Sequence, residues 1–63
     1  MAGPRDDRID DLRARLEAIS EELADLSLEI LQEAADEGAT AAPEREKRIT
    51  RARRAVDKAA ALL

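Results

Sequence analysis

The residues of this chain that could do chemistry are carboxylates, basic side chains and hydroxyl groups, since it contains no His and no Cys. In the first half, acids follow one another every four residues, at Glu17, Glu21, Asp25, Glu29, Glu33 and Glu37. Helical carboxylates at this spacing occur in di-iron bundles, but those sites also use Glu-x-x-His pairs. The acidic pattern therefore predicts neither a metal site nor a cofactor.

Catalytic and phosphate-binding sites are not predicted either. The hydroxyl-bearing residues are Ser20, Ser27, Thr40 and Thr50. None has an evident activating base, which a hydroxyl nucleophile needs. The only glycines are Gly3 and Gly38, so no Gly-rich phosphate loop occurs. A calcium loop needs clustered oxygens around a turn, and residues 38–42 supply almost none. We expect that the protein is not an enzyme.

A basic stripe in the second half is the remaining candidate binding site. It comprises Lys47, Arg51, Arg54 and Lys58. Spacings of 4, 3 and 4 place these residues on one side of a helix, where they could follow a phosphate backbone or an acidic partner. The net charge of −4 opposes sequence-independent DNA binding, and the chain has no aromatic residue to stack on unpaired bases. A dimer, however, would present two such stripes symmetrically, so double-stranded DNA stays an alternative partner, with Arg51 and Arg54 as the residues to suspect.

Apolar residues recur at spacings of three and four on both sides of one turn. The first stripe is Ile9, Leu12, Leu16, Ile19, Leu23, Leu26 and Ile30, and the second is Ile49, Ala52, Val56, Ala59 and Leu63. A sustained 3,4 spacing keeps side chains on one face of a helix and requires another helix against that face. The pattern predicts an all-α fold, an antiparallel two-helix hairpin that packs like a coiled coil.

The predicted organisation is a flexible N-terminus over residues 1–5 and a helical hairpin over residues 6–63. Within the hairpin we expect helix 1 over 6–37, a turn over 38–42 and helix 2 over 43–62.

Capping signals support these boundaries. Asp6 or Asp7 can cap helix 1, Gly38 fits the left-handed position that ends a helix, and Pro43 suits a first helical turn. Because helix 2 is shorter, we expect it to stop near residues 18–20 of helix 1.

The length difference predicts a second chain. Ile9, Leu12 and Leu16 would project beyond helix 2, unless this end simply frays in solution. A further stripe on helix 1 is formed by Ala24, Leu28, Leu31 and Ala35. One helix cannot cover both stripes, so we predict a homodimer, a four-helix bundle whose long helices pack antiparallel. The predicted interface residues are Ile9, Leu12, Leu16, Ile19, Leu23, Leu28 and Leu31.

Charge is segregated between the two helices. Residues 6–37 carry a net charge of −9 and residues 44–63 a net charge of +4. Like charges four residues apart destabilise an isolated helix by a few tenths of a kcal/mol per pair, so we expect pairing between the helices. The predicted pairs are Arg45 with Asp36, Arg48 with Glu33, and Arg53 with Glu29. Helix 2 is also expected to dock tightly through Ala52, Ala55, Ala59 and Ala60.

The function predicted from these patterns is a small protein–protein interaction module or scaffold that self-associates, with another helical protein as a possible further partner. One alternative is a small DNA-associated regulator. Another is an antitoxin-like or inhibitor-like peptide whose acidic helix masks a basic partner. Neither a signal core nor an apolar run of membrane-spanning length occurs, so we expect a cytoplasmic protein. The Ala-rich and Arg-rich composition is typical of GC-rich bacterial genomes.

Overall fold

The computed structural model describes residues 3–37 and 42–63, and both of its elements are α-helices. Helix α1 spans Pro4–Glu37 and helix α2 spans Ala42–Leu62, and the two pack against each other. The predicted ends of both helices lie within two residues of these bounds. Helix α1 begins inside the segment that was expected to be flexible. Gly38 and the predicted turn before Ala42 lie outside the described residues.

The start of α1 is fixed by hydrogen bonds at Gly3, where Asp6 supplies one half of a capping box. The Gly3 carbonyl accepts hydrogen bonds from the backbone N–H groups of Asp6 and Asp7, at 3.0 and 3.1 Å. In return, the Asp6 carboxylate accepts from the Gly3 N–H at 3.1 Å. Gly3, and not Asp6 or Asp7, therefore stands at the cap. The reason is Pro4, whose fixed φ and missing N–H suit the first helical position.

Three contacts show that the helices run antiparallel. From one end of the hairpin to the other, Ser27 contacts Glu46, Ser20 contacts Asp57, and Arg13 donates to the Leu63 carbonyl. Helix α2 thus reaches Arg13 and passes the point near residues 18–20 where it was expected to stop. The expectation was wrong because these polar pairs set the alignment of the two helices, whereas the expectation used only the shortest connection from the end of α1.

The hairpin is a single layer of two helices. Its Cα atoms extend over 55 × 15 × 9 Å, so each side of the layer is open. Among the described residues only Ser20, Ile30 and Ala60 are buried. Stable domains normally bury their apolar surfaces between two layers. This chain has a narrow seam between its helices where such a domain has a core.

The apolar stripe of α1 is divided by this seam. Its members form two columns with a seven-residue repeat. The inner column is Leu16, Leu23 and Ile30, which are half-buried or buried, and the outer column is Leu12, Ile19 and Leu26, which are exposed. Helix α2 packs against the inner column and against a third column of α1, made of Ser20, Ser27 and Ala34. It therefore leaves the outer column uncovered. The apolar stripe that predicts a core is therefore divided, with one column in the seam and the other exposed on the surface.

Alanine does not form the seam of α2 as expected. Ala60 is buried and Ala59 half-buried, whereas Ala52 and Ala55 are exposed. The seam positions of α2 include polar residues instead, which bond to the serines of α1. Tight docking through an alanine face is therefore limited to the last turns of α2.

Candidate interaction surface

A buried serine joins the two helices near the middle of the seam. Ser20, 6% exposed, donates a hydrogen bond to Oδ1 of Asp57 at 2.5 Å and accepts one from Nε of Arg53 at 3.2 Å. Arg53 and Asp57 lie one turn apart on α2, so one hydroxyl bonds to both. A nucleophile must reach its substrate, and Ser20 is enclosed by its own hydrogen bonds. This arrangement holds the helices in register.

A second polar pair repeats the arrangement seven residues further along α1. Ser27 donates to one carboxylate oxygen of Glu46, and Thr50 donates to the other at 3.3 Å. Within the described residues no buried side-chain nitrogen or oxygen lacks a partner. Sequence reasoning missed Glu46 and Asp57 as seam residues. The available signal was that Ser20 and Ser27 share the seven-residue repeat of the apolar stripe beside them.

The predicted ion pairs between the helices are not formed. Arg53 lies beside Ser20, not beside Glu29. The salt bridges among the described residues join Arg13 to Asp10 at 3.1 Å and Arg15 to Asp11 at 2.9 Å, both within α1. Glu29 follows Ser27 by two residues, or 200° around the helix, so it points away from α2. The acidic side of α1 therefore faces away from α2, across the axis of α1.

One face of the hairpin is apolar along both helices. An open groove between α1 and α2 is lined by Ile30, Ile49 and Ala52, with Arg45 and Arg48 also contributing. The outer column of α1 continues this surface, with Leu12 38%, Ile19 43% and Leu26 42% exposed. We call this surface the apolar face; it comprises Leu12, Ile19, Leu23, Leu26, Ile30, Ile49, Ala52, Val56 and Ala59.

The opposite face is more polar. Its groove is lined by Arg13, Glu17 and Asp57 together with the last residues of α2, from Ala60 onward. Leu28 lies on this side of α1, because it is nine residues, or two and a half turns, from Ile19. It is 58% exposed.

The predicted interface residues are therefore distributed over two sides of α1. Ile9 and Leu12 precede Arg13, the residue of α1 that contacts the end of α2. Leu16, Ile19 and Leu23 lie on or beside the apolar face. Leu28 and Leu31 lie on the other side, together with Ala24 and Ala35. The fold does not bring these seven residues into one surface.

The basic stripe lies on the side of α2 that faces away from α1. Lys47, Arg51, Arg54 and Lys58 are all exposed. Arg51 follows the seam residue Ile49 by two positions, which turns it about 200° away from α1. None of the four belongs to a salt bridge among the described residues. The hairpin consequently has an acidic edge along α1 and a basic edge along α2.

The chain exposes more surface than a compact protein of its size. Its accessible surface is 5143 Å², whereas a folded monomer of its 6.9 kDa mass exposes about 4,000 Å². The difference is about 1,100 Å², more than the roughly 800 Å² that each partner buries in a standard protein–protein interface. The elongated shape of the hairpin accounts for the additional area.

In residues 3–37 and 42–63 the Asp and Glu side chains do not gather into a group of three that could hold a metal ion. Neither helix, over the same residues, has a segment both long and apolar enough to cross a membrane. The apolar face and the basic stripe remain the candidate sites.

Comparison with protein-family models, with curated proteins and with solved structures gave no match to this chain.

Proposed function

We propose that this chain is a small protein–protein interaction module that self-associates through its apolar face. The observation that carries the proposal is the exposed outer column of α1, where three large aliphatic side chains repeat every seven residues with no helix of their own chain against them. A sustained repeat of this kind is typical of a helix packed on another helix.

The size of the chain supports the same proposal. Domains below about 70–80 residues rarely gain enough stability from one core, and they add disulfides, a metal or a second subunit. This chain has 63 residues and no cysteine. Self-association would supply the missing layer, since two apolar faces together would enclose a core.

Light scattering after size-exclusion chromatography tests the proposal, with refractive-index detection because the chain has no aromatic residue. We expect a mass twice the 6.9 kDa of the chain over a micromolar concentration series. Ile19→Glu should reduce the mass to that of a monomer and lower the far-UV circular dichroism, because it places a charge within the apolar face.

Leu28→Glu is the matched control, since it adds the same charge to an even more exposed position on the opposite side of α1. It should leave the mass unchanged. A wild-type chain that is monomeric at all concentrations, or a loss of mass with Leu28→Glu alone, would contradict self-association through this face.

A second candidate function, binding of double-stranded DNA, is favoured by the exposure of the basic stripe on the outer side of α2. Because phosphate contacts release counterions, affinity for a DNA duplex should fall steeply with salt. It should also be lost in the double variant Arg51→Ala, Arg54→Ala, measured by fluorescence anisotropy of a labelled duplex. Binding that ignores both salt and these substitutions would exclude the basic stripe.

A further inference from the structure

We propose that the partner on the apolar face is a second copy in one defined register, with α1 antiparallel to the partner's α1 about a two-fold axis beside Glu21. This inference rests on the proposed self-association and specifies its geometry. Three features of the chain point to it: the order of apolar residues on α1, the order of charges beside them and the extent of α1.

The two columns of α1 form complete apolar layers in this register. When two helices pack antiparallel, a residue of one column meets a residue of the other column in the partner. With the axis beside Glu21, every inner-column residue meets an outer-column residue, and each layer occurs twice by symmetry. The layers pair Ile19 with the partner's Leu23, Leu16 with the partner's Leu26, and Leu12 with the partner's Ile30.

The rim of the apolar face on α1 changes along the helix from basic to acidic side chains, and the change occurs at the same axis. The residues that precede the inner column recur every seven positions, and they are Arg8, Arg15, Glu22, Glu29 and Asp36. In the proposed register Arg15 meets the partner's Glu29, and Arg8 meets the partner's Asp36. Only Glu22 meets its own copy, at the axis. Four complementary pairs therefore favour the antiparallel orientation, as rim charges do in coiled coils.

The extent of α1 agrees with the same axis. Pro4–Glu37 has its midpoint between residues 20 and 21, so two copies of α1 would overlap over their whole length. The turns before Arg13, which α2 does not accompany, would lie against the end of the partner's α1. Leu12 would then be covered by the partner's Ile30, whereas Ile9 would meet the partner's Glu33.

The pattern on α2 is compatible with the same axis. Ser20 bonds to both Arg53 and Asp57, so an axis beside Glu21 passes α2 near Arg54. Helix α2 would there pack antiparallel to the partner's α2. The resulting layers pair Ile49 with the partner's Ala59 and Ala52 with the partner's Val56. Both layers are apolar, and alanine in each lets the helices approach closely.

Two other arrangements bury apolar surface less completely. A register shifted by seven residues toward the N-terminus also pairs Arg15 with an acid, the partner's Glu22, but it leaves the groove at Ile30 and Ile49 largely open. An arrangement with α1 beside the partner's α2 pairs acids with bases, yet it leaves Ile9 and Leu12 uncovered. The proposed register covers the groove and Leu12 together.

The arrangement has a consequence for charge. Because α2 would lie beside the partner's α2, both basic stripes would be on one side of the dimer, and both acidic edges on the other. Eight basic side chains would form one surface, which concentrates the positive potential that an anionic partner requires.

Cysteine cross-linking tests the register, and the natural chain has no cysteine to interfere. With a short bismaleimide, Glu22→Cys should link to its own copy, because the two positions meet at the axis. Glu29→Cys, one heptad away on the same rim, should not link to itself. A mixture of Arg15→Cys and Glu29→Cys chains should give the mixed dimer.

Charge exchange provides a second measurement without a cross-linker. Arg15→Glu and Glu29→Arg each create two like-charge pairs in a homodimer, so each should raise the dimer Kd by about tenfold. An equimolar mixture should form heterodimers, because each of the two rim pairs between positions 15 and 29 then joins an acid to a base.

The outcomes separate the two proposals. Monomeric mass for the wild-type chain would overturn both self-association and this register. A dimer in which Arg15→Cys links to Glu22→Cys would overturn the register in favour of the shifted one. A dimer without any of these cross-links, and without preferential pairing of the charge variants, would overturn the antiparallel α1 arrangement and leave self-association standing.

Discussion

The seam between the two helices mixes polar and apolar side chains, whereas large aliphatic side chains predominate on the apolar face beside it. The seam contains hydrogen-bonded polar groups, with Ser20 and Ser27 of α1 against Asp57 and Glu46 of α2. The apolar face, which is open, has the large side chains of Ile19 and Leu26. In an isolated hairpin one would expect the apolar residues between the helices.

This difference suggests a division of roles. Hydrogen bonds between specific groups permit few alternative alignments, because a shifted helix leaves buried polar groups without partners. Apolar contacts are less directional but contribute more free energy per residue buried. The seam therefore sets the register of the hairpin, and the apolar face is where a partner would contribute stability. The next three predictions test this division, from the largest expected effect to the smallest.

Ile30 belongs to both regions, since it is buried against α2 and also lines the groove of the apolar face. Ile30→Asp should lower the free energy of unfolding by about 3 kcal/mol or more, because it buries an unpaired charge. Urea unfolding followed by circular dichroism measures this. Leu31→Asp, at the adjacent exposed position, is the matched control, and an equal loss there would argue against any special role for Ile30.

Asp57 belongs to the seam and not to the apolar face. Asp57→Ala leaves the buried Ser20 hydroxyl without its acceptor and should cost about 1–2 kcal/mol of unfolding free energy. Asp10→Ala removes an exposed carboxylate from an ion pair within α1 and should cost less than about 0.5 kcal/mol. If both variants unfold at the same urea concentration, the seam contributes no more than a surface contact.

Asp6 belongs to neither the seam nor the apolar face, so its substitution measures the effect of a change outside both regions. Asp6→Ala removes the side-chain half of the capping box, and we expect a loss of about 0.5–1 kcal/mol. The solution mass should not change, because the cap lies at the end of α1. A change in mass would mean that the first turn of α1 takes part in association more directly than the proposed register requires.

Several features followed from the sequence alone. The 3,4 spacing predicted two helices, and Pro43 lies in the first turn of the second one, as expected. These features depend on local geometry, which neighbouring residues along the chain determine. The basic stripe was also predictable, because exposure on the outer side of a helix follows from its period of 3.6 residues.

Other features were decided only by the tertiary structure. The sequence could not tell which neighbouring column faces α2 together with Leu16, Leu23 and Ile30. The serine column and the column of Leu12, Ile19 and Leu26 both lie directly beside that inner column on α1. The sequence also misjudged the register, pairing Arg53 with Glu29, since charge attraction between exposed groups is weak and hydrogen bonds to buried Ser20 outweigh it. Local periodicity thus determined the helices, and the polar contacts between helices distant in sequence determined how they align.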